Sequence, residues 1–152
     1  MKVRSPAFGH TEMIPAKYTC DSENISPPLA IDGVPAGTVS LVCIVEDPDV
    51  PLTIRADGVW DHWVLFNIPP DTTRIGEGET PEGTAGMTTG GRLTYGGPCP
   101  PDGEHRYLFR VFALDTTLDL LEGATKVQVQ KAMEGHILES TTLVGRYARI
   151  TK

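Results

Sequence analysis

Three long and mostly apolar runs constrain the fold of this chain: residues 39–45, 60–68 and 106–114. In each run the apolar residues occupy both odd and even positions, which is typical of strands covered on both faces. Thirteen Pro and sixteen Gly among 152 residues favour many turns between short strands over a helical bundle. We therefore expect a mainly β fold in which these runs form the central strands.

The rest of the chain supplies weaker strand candidates and one helix. Thr125 and Gln128 fit a capping box, and apolar residues then recur at helical spacing as far as Ile137, with Gly135 predicting a bent last turn. The long segment 70–91 exceeds the usual loop length, which predicts a functional or partly strand-forming stretch. These patterns predict a two-sheet antiparallel sandwich with one or two peripheral helices. The weaker strand candidates are residues 2–5, 29–31, 91–95 and 143–150.

Length and charge limit the class of protein. A chain of 152 residues predicts a single domain spanning residues 1–152, large enough to bury a core without a metal or a disulfide. The net charge of −7, without any Lys/Arg run, argues against nucleic-acid partners and anionic membrane surfaces. The N-terminus has no apolar signal region and no stretch reaches membrane-spanning length, so we expect no integral membrane contact and a cytoplasmic location.

The three cysteines are too few for a disulfide framework. Cys43 lies in the first apolar run, which predicts a buried thiol. Cys20 and Cys99 both lie in loops and could pair, but a reduced state is our default expectation for a cytoplasmic protein.

The most informative polar motif is the Gly- and Pro-rich loop 96–103, which leads directly into the third apolar run. His105 and Tyr107 begin that run and lie two residues apart. Residues with this spacing point to the same face of a strand, so the imidazole and the phenol should project side by side. This arrangement predicts a small polar pocket at the rim of a β structure.

Two further polar motifs border the other central runs. Asp47 ends the first run and, with Asp49, lies in a proline-rich turn; the alternative is that both carboxylates only bond their own backbone. His62 shares strand parity with Trp60, Val64 and Phe66, and the alternative for it is a satisfied core histidine. Because all three motifs lie at ends of central strands, we expect them to gather at one edge of the sandwich.

These residue types fit an anion site better than a catalytic or a metal site. Amides of Gly96 and Gly97 could form an anion-binding nest, with His62, His105 and Tyr107 as further donors. A carboxylate 4 Å from a phosphate would repel it by about 4 kcal/mol at an effective dielectric constant of 20. That repulsion disappears if Asp47 holds a histidine cationic or is itself protonated, so affinity should rise as the pH falls from about 8 to 6.

Other chemistries find less support in the sequence. His62, His105 and Asp47 could form a two-histidine, one-carboxylate metal site, but no local ligand spacing supports it, so we expect neither metal nor cofactor. The chain has no G-x-S-x-G motif and no evident nucleophile. The alternative function is a weak hydrolase or isomerase that uses His105 and Asp47 as an acid–base pair.

The three motifs together resemble the phosphatidylethanolamine-binding protein family, also called Raf kinase inhibitor-like proteins, and most of all its short bacterial and archaeal branch. The resemblance covers nearly the whole chain in the family's order. The segments that carry it are 47–51 (DPDVP), 61–63 (DHW), 100–107 (PPDGEHRY), 15–20 (PAKYTC), 24–28 (NISPP) and 135–137 (GHI).

The resemblance implies the same two-sheet fold and a ligand-binding regulator that is not an enzyme. It implies a small anionic ligand, phosphate or a phosphorylated headgroup, with a kinase or protease as candidate protein partner, and it leaves a homodimer open. It assigns Asp47, His62, His105 and Tyr107 to the pocket and Asp49, Trp60, Gly97, Pro98 and Pro101 to its walls.

Overall fold

The structure, a computed structural model, describes residues 1–149 and consists mainly of two antiparallel sheets. The smaller sheet has the strand order β1-β2-β5 and the larger sheet has the order β6-β4-β3-β7-β8. The strands are β1 Lys2–Arg4, β2 Leu29–Asp32, β3 Ser40–Asp47, β4 Trp60–Ile68, β5 Arg74–Ile75, β6 Thr84–Ala85, β7 Glu104–Leu114 and β8 Ile137–Ala148; a 3-10 helix covers Ala16–Tyr18, and the α-helix, α1, covers Lys126–Met133.

The three apolar runs form the centre of the larger sheet, as the sequence predicts. β3 is paired on one side with β4 and on the other with β7, and every pairing in this sheet is antiparallel. Apolar side chains cover both faces, because one face packs on the smaller sheet and the other lies under α1. The inner cluster includes Val3, Ile31, Leu41, Val45, Trp63, Leu65, Phe109 and Val111, and the outer cluster includes Val42, Ile44, Val64, Phe66, Phe112, Val129 and Met133.

The helix begins as predicted and ends earlier than predicted. The Thr125 side chain accepts from the amide of Gln128, and the Gln128 side chain accepts from the amide of Thr125, so both halves of the capping box are present. The helix ends at Met133, and Ile137 begins β8 instead of extending the helix. Gly135 has φ +79°, a left-handed conformation that favours glycine and turns the chain into the strand.

Segment 70–91 contains the short strands β5 and β6, as one of its two alternatives predicted. Two other strand expectations need correction. Residues 91–95 are not a strand. The last strand begins at Ile137, six residues before the predicted start at 143, because its first half is exposed and therefore lacks an apolar pattern. Position 150, the predicted end of that strand, lies outside the described residues.

The outer edge of β8 is covered along its C-terminal half by the N-terminal segment 11–14. Thr11 donates its amide to the carbonyl of Val144 (2.7 Å), and Ile14 donates to the carbonyl of Arg146 (2.8 Å). The amide of Arg146 in turn donates to the carbonyl of Glu12 at 2.9 Å. Within residues 1–149, no helix is long and apolar enough to cross a membrane.

Candidate functional site

The ends of β3, β4 and β7 meet at one edge of the larger sheet and enclose a pocket of about 300 Å³. Its inner end is polar, and its mouth is apolar. Ile54 of the 49–58 loop lines the pocket and is 52% exposed, and Leu52, two residues before it, is 72% exposed. The lining residues are Asp47, Val50, Ile54, Trp60, His62, Gly96, Gly97, Cys99, Pro101 and Tyr107.

Asp47 and His105 form a buried ion pair at the inner end. Each is only 3% exposed, and Asp47 Oδ2 lies 2.6 Å from His105 Nδ1. Asp47 Oδ1 also accepts the amide of Asp49 at 2.7 Å. The other ring nitrogen of His105, Nε2, lies 2.8 Å from Asp102 Oδ1. Because carboxylates only accept, both ring nitrogens of His105 donate, and the ring is an imidazolium cation.

The pKa of His105 follows from this geometry. Burial lowers it, but the hydrogen bonds and charges of Asp47 and Asp102 outweigh burial, so the pKa is raised above its ordinary value. The cation offsets the charge of Asp47 beside the pocket. His105 itself is not among the lining residues, and it contacts the pocket wall through its bond to Asp47, which is one of them.

His62 reaches the pocket through a β-bulge. Val45 pairs with Trp63 while the next residue, Glu46, pairs with Asp61, so His62 is the extra residue on β4. The shared parity with Val64 and Phe66 therefore mispredicts its face: those two side chains lie in the outer cluster, whereas His62 lies on the pocket side.

The tautomer of His62 is set by the loop. Nδ1 lies 2.6 Å from the carbonyl oxygen of Gly96 and must donate to it. Burial lowers the pKa of His62, more than the hydrogen bond to Gly96 raises it. The ring is therefore neutral near pH 7, and its Nε2 is an acceptor there and becomes a donor once the ring is protonated.

Tyr107 contributes an uncommitted donor. Its side chain is buried, and among residues 1–149 its hydroxyl has no partner at hydrogen-bond geometry. Its ring meets His62 edge-on, with centroids 5.4 Å apart and an interplanar angle of 72°. Burial raises the pKa of Tyr107, and the charge of Asp47 and a poorly aligned contact of the hydroxyl with that carboxylate raise it further, so the phenol stays protonated.

The segment 95–99, here called the strap, forms one wall of the pocket and is tied to segment 18–24. Tyr95 Oη donates to the carbonyl of Tyr18 (2.8 Å), and the amide of Gly97 donates to Asn24 Oδ1 (2.8 Å). The amide of Cys20 donates to the carbonyl of Pro98 at 3.1 Å.

A disulfide between Cys20 and Cys99 adds a covalent tie to the strap, with the two Cα atoms 5.4 Å apart. The default expectation of two reduced thiols is therefore wrong for this structure. Sequence spacing could not decide the pairing because the two cysteines are 79 residues apart. Cys43 is a buried free thiol, as predicted.

The strap also changes the interpretation of its glycines. The amide of Gly96 donates to the carbonyl of His62 at 3.1 Å, and the amide of Gly97 is used by Asn24. Neither amide is free to form the expected anion-binding nest. Gly97 is required for another reason: a Cβ there would lie 2.3 Å from the carbonyl oxygen of Tyr18.

The structure thus brings most of the predicted site residues together. Asp47, Trp60, His62, Gly97, Pro101 and Tyr107 line the pocket. Asp49, predicted as wall, turns away and forms two hydrogen bonds with the Arg106 guanidinium, and Pro98 bonds Cys20 through its carbonyl. Sequence reasoning missed the apolar mouth, whose signal was the alternation of Val50, Leu52 and Ile54 in an otherwise polar loop, and it missed Cys99.

An ion cluster on the opposite face supports the same strand ends. Glu46, next to Asp47, accepts from Arg110 (2.8 Å) and from Lys126 of α1 (3.1 Å). Lys126 also lies 2.6 Å from Asp61, the neighbour of His62. Burial raises the pKa of Glu46, but the bonds to Arg110 and Lys126 outweigh this and hold it below its usual range.

The sequence and the fold match those of known proteins. The family model for phosphatidylethanolamine-binding protein matches residues 4–148, and the chain belongs to this family. It is 51% identical to a UPF0098 protein of Methanothermobacter thermautotrophicus, over 98% of this chain and 99% of that one. A UPF0098 protein of Chlamydia pneumoniae is 47% identical over 98% and 99% of the two chains.

Solved structures show the same fold. A phosphatidylethanolamine-binding protein homologue of Chlamydia trachomatis superposes with a TM-score of 0.95 at 44% identity, covering 97% of both chains. E. coli YbcL, a member of the same family, superposes with a TM-score of 0.87 at 27% identity, covering 97% of this chain and 98% of that one. Membership of this family supports a role in binding.

Proposed function

We propose that this protein is a non-enzymatic binding protein that takes a small phosphoanion, free phosphate or a phosphorylated headgroup, as its protonated monoanion. One observation carries this proposal. Two polar atoms without a well-aligned partner among residues 1–149, the Tyr107 hydroxyl and His62 Nε2, belong to residues that line one pocket beside a carboxylate whose charge is offset by a buried cation. The pocket thus offers a donor next to acceptors.

A phosphate monoanion has the matching pattern of groups. Its charged oxygens accept from Tyr107, and a P–O–H group donates to His62 Nε2 or to Asp47. A fully ionised dianion lacks the P–O–H donor and is repelled by Asp47. The carboxylates of Asp47 and Asp102 keep His105 protonated, and this positive charge lowers the electrostatic cost of placing an anion here.

The geometry argues against the acid–base alternative. A general acid or base must reach the substrate directly or through one water. Both ring nitrogens of His105 are occupied by carboxylates, and the ring is set behind Asp47. Nothing in the site favours a hydrolase or isomerase over simple binding.

Family membership supports two finer parts of the proposal. We propose that the loaded protein modulates a protein partner, a kinase or a protease, as the family resemblance implies, and that a homodimer is one state in which it does so. We keep the cytoplasm as the proposed location. There, small thiols would act on the exposed side of the Cys20–Cys99 bond.

Calorimetric titration with methyl phosphate at pH 8, 7 and 6 tests the proposed ligand. With a second pKa of about 6, the monoanion grows from about 1% to about half of the ligand over this range, so affinity should rise roughly tenfold or more.

Two further ligands sharpen the test. Sulfate, a dianion without a protonated oxygen, should bind at least about tenfold more weakly than methyl phosphate at pH 6, the value of one lost hydrogen bond. Phosphoethanolamine, compared with inorganic phosphate, separates a headgroup site from a phosphate site. Equal affinity for sulfate, or affinity that does not change with pH, would refute the monoanion proposal.

A further inference from the structure

The disulfide at the pocket is accessible from outside the pocket. Cys99 is an exposed residue between two prolines, whereas Cys20 is half-buried. Cys99 lines the ligand pocket on one side and, on the other, a second cavity of about 410 Å³. That cavity is formed by the Pro-rich loop, including Asp102, together with Arg149, which pairs with Asp21.

We propose that Cys99 is a thiol–disulfide exchange site for low-molecular-weight thiols and that exchange there releases the strap and weakens ligand binding. The first half depends only on the disulfide. The second half rests on the function proposed above. The ligand pocket is therefore inferred to have two forms, a strapped oxidised form and a loosened reduced form.

The chemistry proceeds in two balanced steps. A small thiolate attacks Cys99 Sγ, forms a mixed disulfide and expels Cys20 Sγ as a thiolate, which takes up a proton. A second small thiolate then attacks the outer sulfur of the mixed disulfide and expels the Cys99 thiolate. In total, the Cys20–Cys99 disulfide is reduced by two electrons to two thiols, and two small thiols are oxidised to one disulfide.

Loss of the covalent tie acts on the pocket through the strap. Among residues 1–149, the strap is then tied to segment 18–24 by the hydrogen bonds from Tyr95, Gly97 and Cys20. Gly96, inside the strap, accepts from His62 Nδ1 and donates to the His62 carbonyl. Movement of the strap therefore removes the bond that orients the His62 ring, as well as the wall formed by Gly97 and Cys99.

The remaining cysteine supplies an internal control. Cys43 is a buried free thiol in the centre of β3, and burial raises its pKa to about 12. It should stay unmodified while the protein is folded, because reactivity needs an accessible thiolate. Labelling of Cys43 would report unfolding rather than exchange.

The first experiment needs no ligand. The oxidised protein is incubated with 2-mercaptoethanol, quenched with iodoacetamide, and mapped by mass spectrometry. We expect the mixed disulfide on Cys99 to appear before any on Cys20, and Cys43 to remain unlabelled. Hydrogen exchange at the amides of Gly97 and Cys20 should become at least about tenfold faster in the reduced form, because the strap opens more often.

The second experiment measures methyl phosphate binding at pH 6 in both forms. We expect the Kd to rise about tenfold on reduction. A rise of this size corresponds to a reduced protein in which the strap is in its closed position about one-tenth of the time. The double variant Cys20→Ser/Cys99→Ser should bind as the reduced wild type does and ignore reductant. Cys43→Ala should respond to reductant like the wild type.

The outcomes separate the two proposals. If methyl phosphate binds both forms equally, the regulatory inference is wrong and the proposed function stands. If neither form binds it, the proposed function fails, and hydrogen exchange still decides whether reduction frees the strap. Attack mainly at Cys20, or unchanged exchange at Gly97 after reduction, overturns the inference whatever the ligand does.

Discussion

Replacing Tyr107 with Phe removes one hydroxyl and leaves the aromatic ring in place. In the free protein that hydroxyl makes no well-aligned hydrogen bond within residues 1–149, and Asp47, the carboxylate with which it interacts, keeps its bonds to His105 and to the amide of Asp49 when the hydroxyl is lost. We therefore expect the free energy of unfolding to change by less than about 1 kcal/mol. In the complex the hydroxyl donates to a charged phosphate oxygen, a bond worth about 1.5–3 kcal/mol.

The expected loss of binding follows from this difference. Since about 1.4 kcal/mol is tenfold in affinity, Tyr107→Phe should raise the Kd for methyl phosphate by roughly ten- to 150-fold. Calorimetric titration at pH 6 measures the Kd, and urea unfolding at the same pH measures stability. If the Tyr107 hydroxyl had only a structural role, its loss would not weaken binding while leaving stability unchanged.

Tyr18→Phe is the matched control. Tyr18 is also a buried tyrosine of the inner cluster, but its hydroxyl bonds Glu77 at 2.6 Å and does not face the pocket. Its loss should cost about 1 kcal/mol of stability and leave the Kd unchanged. A Tyr107→Phe protein that binds within twofold of the wild type would refute the assignment of this hydroxyl to the ligand.

The remaining predictions concern stability. Gly97→Ala should lower the free energy of unfolding by about 2 kcal/mol, because its Cβ meets fixed backbone, while Gly96→Ala, with nothing within 4 Å, should cost much less in the same urea experiment. Lys126→Met should cost about 3 kcal/mol, or a Tm lower by roughly 6–12 °C, since it removes the cation beside part-buried Asp61 and leaves Glu46 with Arg110 alone. The pKa of Glu46 is lowered, so the stability that its ion pairs contribute is lost as the pH falls below the ordinary glutamate range, and the gap to wild type should shrink there. Lys131→Met, at an exposed position on the same helix, should show no such gap.

The fold was predictable where the signals are local. The three runs that are apolar on both parities became the centre of the larger sheet, because only a two-sided core can cover them. The capping box of Thr125 and Gln128 marked the start of the helix correctly. The exposed half of β8 escaped detection because an edge strand needs no apolar pattern.

The sequence predicted which residues form the site better than it predicted their hydrogen-bond partners. His105 and Tyr107 share a face, as their spacing requires, but the partner of each His105 nitrogen comes from a different segment. A bulge opposite Val45 and Glu46 reverses the face of His62, and strand parity cannot register an extra residue. Likewise, the use of the Gly96 and Gly97 amides depends on segments distant in the chain.

The cover that segment 11–14 gives to β8 has a consequence for solubility. An uncovered strand edge offers a row of backbone donors and acceptors to any other extended chain, and sheets can then grow from one molecule to the next. Here the bonds to Val144 and Arg146 occupy that row where the strand is most apolar. Removing the first fourteen residues would therefore leave the outer edge of β8 unpaired and favour self-association, although none of those residues lines the ligand pocket.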